Sequence, residues 1–129
     1  MKAQISVEIL LIIALFLGVI TPVFYFSFTQ TTDNMRLTKA KTALADITAA
    51  ADYVYSLEVG STTQLEVDVP DGIDSANIVN HTIIYRVSTS AGTSDVFSVS
   101  KANLYGTLPI KSANKVLTIN HTENGVSIV

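Results

Sequence analysis

The chain has no cysteine and no tryptophan. Without cysteine there is no disulfide staple, no thiolate metal site and no thiol nucleophile. The absence does not locate the chain, because an oxidising compartment permits disulfides without requiring them. Charge is scarce as well: 15% of the 129 residues are charged, with eight Lys plus Arg, eleven Asp plus Glu and a net charge of -3. Soluble domains carry roughly 25%. A nucleic-acid binder needs clustered basic residues to displace counterions, and this balance argues against one. A disordered chain is polar and charge-rich, whereas 48% of these residues are apolar. Only two histidines occur, His81 and His121, and they do not have metal-ligand spacing. Glu66, Asp68, Asp71 and Asp74 are oxygen donors of the kind calcium takes, but their spacing does not match an EF-hand loop. No Gly-rich phosphate loop, Gly-x-Ser-x-Gly elbow or Ser/His/Asp set stands out. The expectation is therefore no enzyme, no metal and no cofactor.

What is present is concentrated apolarity. No charged residue lies between Glu8 and Asp33, and residues Ile9 to Phe28 form an almost wholly apolar run. As a helix of twenty residues the run spans about 30 Å, the thickness of bilayer hydrocarbon. It is longer than the apolar core of a removable secretory signal, and no Ala-x-Ala-like exit follows Phe28, so the segment is read as retained. Phe24, Tyr25, Phe26 and Phe28 crowd its far end, as in an interfacial belt. Pro22 removes one helical hydrogen bond and predicts a kink or loosened turn. A buried helix of a soluble protein is the competing account, but so small a chain has little other material to surround one.

From Asp33 to Glu58 there is no Gly or Pro. Ala40, Leu44, Ile47, Ala51 and Val54 recur at steps of four, three, four and three, a narrow apolar stripe with Lys39, Lys41, Asp46 and Asp52 off it. The spacing predicts a long helix over residues 4–59, apolar over 9–28 and amphipathic over 33–58. A possible break lies at Gln30–Asn34, and Gly60 would be the stop. The stripe would pack on the domain that follows.

After Gly60 the period becomes alternating. Strands are expected around Leu65–Val69, Ile83–Val87, Asp95–Val99, Leu104–Ile110, Lys115–Ile119 and Val126–Val129, with Pro70-Asp71-Gly72 and Glu123-Asn124-Gly125 as turns. Alternation puts Glu66 and Asp68 on the solvent face. The fold class is thus α+β, a long N-terminal helix followed by a small antiparallel β-sheet or sandwich over residues 60–129. Asn80-His81-Thr82 and Asn120-His121-Thr122 both satisfy the N-glycosylation acceptor pattern, making Asn80 and Asn120 candidates. Ser and Thr supply 27 residues, mostly outside the apolar run, so exterior solubility rests on hydroxyls more than on charge.

At the start of the chain, Gln4-x-Ser6-x-Glu8 leads directly into the apolar run. A carboxylate at the edge of a membrane helix is costly unless it finds a partner. This arrangement resembles the class III signal peptide of archaeal type IV pilin-like proteins. The resemblance implies a leader at residues 1–3, cut between Ala3 and Gln4 by a membrane prepilin peptidase on the cytoplasmic side. It implies that Glu8, fifth in the mature chain, engages the N-terminus of a neighbouring subunit. It also implies assembly by a pilus ATPase and membrane platform into a helical homopolymer, from a membrane precursor to an extracellular filament. Pro22 would let the extracted helix bend. The count of Lys and Arg near the run, with Lys2 before it and Arg36, Lys39 and Lys41 after it, favours the opposite orientation. Two other readings remain open: a minor pilin or pseudopilin-like initiator, and a membrane-anchored surface protein that never polymerises.

Overall fold

The computed structural model describes residues 2–129; Met1, the first residue of the expected leader, lies outside the described residues. The architecture is α+β. One helix, α1 (Lys2–Tyr55), precedes strands β1 (Thr62–Val69), β2 (Ile73–Val79), β3 (Thr82–Thr89), β4 (Gly92–Val99), β5 (Leu104–Gly106), β6 (Ala113–Thr122) and β7 (Gly125–Ile128). The chain divides into two compact units between Asp33 and Asn34.

The first unit is helical from Lys2. The break expected at Gln30–Asn34 does not occur: one helix runs continuously through it, and Pro22 lies inside the same helix. Pro22 cannot donate to the Gly18 carbonyl. Beside it, Thr21 Oγ1 donates to the Leu17 carbonyl at 2.7 Å. Thr29, Thr31 and Thr32 likewise donate to the carbonyls of Tyr25, Ser27 and Phe28 at 2.8, 2.8 and 3.0 Å. Their hydroxyls fold back into the helix instead of capping a new one, so the polar stretch that suggests a boundary stays helical.

In the second unit the helical stripe does what its spacing predicts. Ala40, Leu44, Ile47, Ala51 and Val54 are fully buried, joined by Ala43. They share one core with Val67 and Val69 of β1, Ile83, Tyr85 and Val87 of β3, Leu117 and Ile119 of β6, and Val126 and Ile128 of β7. The helix ends at Tyr55, a little earlier than expected. Ser56 and Leu57 tighten the last turn by donating to the Tyr53 and Val54 carbonyls, both at 3.1 Å. Gly60 is not the helix cap. It takes φ +96° in the following turn, where Ser61 N donates to the Glu58 carbonyl at 3.1 Å. The amide of Gly60 donates to the His121 carbonyl at 2.8 Å and that of His121 donates to the Ser61 carbonyl at 2.8 Å.

The strands form two sheets, ordered β1-β6-β7-β5 and β2-β3-β4. All pairings are antiparallel except β5 with β7, which run parallel. Six strands were expected and seven are described; β2 is the addition, and β5 stops at Gly106 instead of reaching Ile110. Gly106, at φ +125°, lies so close to β7 that any Cβ there would overlap the Ile128 carbonyl. The last hairpin turns through Glu123-Asn124, with Thr122 paired to Gly125. Gly125 takes the positive φ and Asn124 does not.

Candidate functional site

The N-terminal segment is built from side chains that find no cover. Gln4 and Glu8 are one helical turn apart and share a face, with Ser6 on the other side. All three are exposed, as is Ala3. Glu8 makes no ion pair with another described residue. From Ile9 to Ile13, five consecutive apolar residues circle the helix, each between 52% and 67% exposed. Phe16, Leu17, Val19, Val23, Phe24, Tyr25, Phe26 and Phe28 continue the pattern. A helix that is apolar on every side has no preferred water face, and it needs lipid or protein on all sides. This helix is long and apolar enough to cross a membrane, and none of its most apolar window is buried. The threonine back-bonds described above leave few polar groups unsatisfied in such surroundings.

The two Asn-His-Thr triplets share a sequence and occupy unlike places. Asn80 and His81 form the two-residue turn between β2 and β3, and Asn80 takes φ +52°, the left-handed region that asparagine tolerates better than most residues. Its side chain is exposed. Asn120 lies within β6, flanked on one side by Thr62 of β1 and on the other by Ser127 of β7. It is half-buried, and its Oδ1 accepts a 2.6 Å hydrogen bond from Thr62 Oγ1. His121 packs its ring 5.2 Å from that of Tyr55, with Nδ1 3.0 Å from the Leu57 carbonyl. Thr122 Oγ1 donates to the Gly125 carbonyl at 3.0 Å and is also hydrogen-bonded to the Tyr105 hydroxyl.

The acidic residues considered for calcium are exposed, and two of them pair with cations. Asp68 meets Lys39 Nζ at 3.3 Å. Asp71 receives Arg36 through two hydrogen bonds, at 3.3 and 2.9 Å, and the guanidinium holds its carboxyl below the usual carboxylate range. No group of three potential metal ligands occurs among the described residues. On the second sheet, Arg86 and Asp95 form a further two-bond pair.

Three features escape a linear reading. Asp52, off the apolar stripe, is half-buried and its Oδ1 accepts from Ser100 Oγ at 2.5 Å and Lys101 N at 2.8 Å, tying the chain after β4 to the helix. Thr48 Oγ1 is buried and bonds Ser98 Oγ at 2.9 Å. Thirdly, Phe97 and Val99 point away from the core beside Val79, and all three are more than half exposed. The signal for this last feature lies in β4 itself, where Val96 and Phe97 place apolar side chains on both faces of the strand. An opening of about 670 Å³ separates β2 from residues 104–110, lined by Ile78, Leu104 and Leu108 among others. No known protein family, curated protein or solved structure matches this chain.

Proposed function

We propose that the chain is the structural subunit of an archaeal type IV-like adhesion pilus, trimmed after Ala3 and polymerised through its N-terminal helix. The observation that carries the reading is an all-round apolar helix surface that follows directly on Glu8 of the Gln4-x-Ser6-x-Glu8 motif. A surface of this kind suits two successive environments, lipid before assembly and neighbouring helices afterwards. Burial of apolar area contributes roughly 25 cal/mol per Å² where water is the alternative. Lipid is as apolar as another helix, so transfer into a filament core depends on packing between side chains and on pairing the Glu8 carboxylate. Heterologous contacts that do not close on themselves generate a helical polymer. The β domain would form the outer, hydroxyl-rich shell that meets surfaces or other cells.

Shearing intact cells and sedimenting the released material tests the reading. The chain is expected as the dominant protein of a filament fraction. Recovery as a trace component would favour a minor pilin or pseudopilin-like initiator. Retention in the detergent-soluble membrane fraction would favour an anchored surface protein.

A further inference from the structure

The outer face of the sheet β2-β3-β4 carries an apolar patch next to an acceptor asparagine. Ile83, Tyr85 and Val87 point into the core, so Thr82, Ile84 and Arg86 point outward. The pairing register places Val79, Thr82 and Val99 in one outward row, and Asn77, Ile84 and Phe97 in the next. Val79 is 54% exposed, Phe97 67% and Val99 60%. Beyond this patch, the Arg86–Asp95 pair makes the same face polar. Asn80 begins the turn immediately after Val79, and so stands at the edge of the patch.

We propose that Asn80 is N-glycosylated, that Asn120 is not, and that the sugar on Asn80 lies over Val79, Ile84, Phe97 and Val99. The inference rests on the proposed export of the β domain. A transferase must reach the acceptor carboxamide together with the hydroxyl two residues on. At the hairpin tip the Asn80 side chain is exposed and forms no hydrogen bond with another described residue. The turn is held instead through its backbone: the Asn80 carbonyl accepts from Leu104 N and the His81 carbonyl from Ser100 N, each at 2.7 Å. In the second triplet β6 is paired on both edges, the Asn120 carboxamide is engaged by Thr62, and the Thr122 hydroxyl is engaged twice. Engaging both groups of this triplet at once would mean breaking these side-chain bonds. The co-reactant is an oligosaccharide joined through its anomeric carbon to a lipid phosphate. Asn80 Nδ2 bonds to that carbon and gives up one proton, while the carbon–oxygen bond breaks and its electron pair leaves with the lipid phosphate. No oxidation or reduction is involved.

Strands about 4.8 Å apart, with a rise of about 3.4 Å per residue, put Phe97 about 10 Å across the sheet and about 7 Å along it from Val79. The first sugars of a chain on Asn80 cover such a span, and their C–H faces suit the negative face of the Phe97 ring. The patch thereby gains a cover that belongs to the subunit itself.

Tryptic digestion of the native protein separates the sites. Asn80 falls in the peptide 42–86, Asn120 in 116–129, and Phe97 is the only aromatic residue of 87–101. The expected result is a sugar mass on 42–86 and a bare 116–129. A sugar on 116–129, or none on 42–86, overturns the assignment. The N-terminal peptide of the same digest begins at Gln4 if the leader is removed and at Ala3 if it is not. A bare 42–86 alongside a Gln4 start would therefore defeat this inference and leave the pilin reading standing. A glycosylated 42–86 alongside an Ala3 start would do the reverse. Hydroxyl-radical labelling addresses the cover: oxidation at Phe97 should rise in Asn80→Gln relative to the glycosylated protein, and an unchanged yield would show that the sugar lies elsewhere.

Discussion

The hydroxyl of Tyr85, at the centre of β3, donates a 2.8 Å hydrogen bond to the carbonyl of Pro109. Tyr85 is the largest fully buried side chain among the described residues, and this bond ties the segment between β5 and β6 to the middle of the other sheet. Burial pushes the phenol up from 10.0 to about 12.

Tyr85→Phe therefore has opposite consequences at two pH values. Near pH 8 it removes a hydrogen bond and leaves the Pro109 carbonyl unpaired, a loss of about 1 kcal/mol. A raised folded-state pKa is stabilising below pH 10, and that contribution fades as pH rises toward 12, because the unfolded chain releases the proton first. At pH 12 the native protein would have lost roughly 2 kcal/mol by this route, and the variant would have lost none. Guanidinium unfolding of the full chain in detergent micelles, run at both pH values, should show the order of stability reversing. The native protein remaining ahead at pH 12 would contradict the assignment.

Asp71→Asn should be mild. Its carboxyl is held below the usual range chiefly by the Arg36 hydrogen bonds, so the pair stabilises above the ordinary pKa of 3.8 and fades as pH falls through the folded value. The Asp71 side chain is 64% exposed, which limits the contribution to about 1 kcal/mol or less. Stability measured at pH 6 and pH 2.5 should differ less in the variant than in the native protein.

Ile47→Ala tests the helical stripe. Ile47 is fully buried among both sheets' core residues, and truncation should cost about 2–5 kcal/mol. Val116→Thr, on an exposed outward position of β6, should change stability by about 0.5 kcal/mol or less. Similar losses at the two positions would contradict the packing described.

Glu8→Gln should leave trimming after Ala3 intact and reduce filament yield, because the carboxylate would no longer be available to a neighbouring subunit. Filament recovery from sheared cells measures this. An unchanged yield would remove Glu8 from the assembly mechanism.

The helix and its buried stripe were legible because they repeat locally, every three or four residues from Ala40 to Val54. Strand β2 was not. Its apolar residues Ile73, Ala76 and Ile78 break strict alternation, and the register shift between Ile73 and Ser75 supplies the extra residue. The parallel pairing of β5 with β7 joins residues about twenty positions apart and leaves no local trace. Asp52 reads as an ordinary exposed helix charge until Ser100 and Lys101 are brought to it. Of the candidate site, the apolar surface and the Gln4-Ser6-Glu8 spacing were fully visible in sequence. The unlike settings of Asn80 and Asn120 were not, since the two triplets are identical.

The central claim is that the apolar segment is processed for assembly and is not a permanent anchor. Mass spectrometry of the native protein's N-terminus tests it most directly. The account predicts a chain beginning at Gln4, either free or cyclised to pyroglutamate with the corresponding loss of ammonia. A mature protein that retains Met1-Lys2-Ala3 would contradict it.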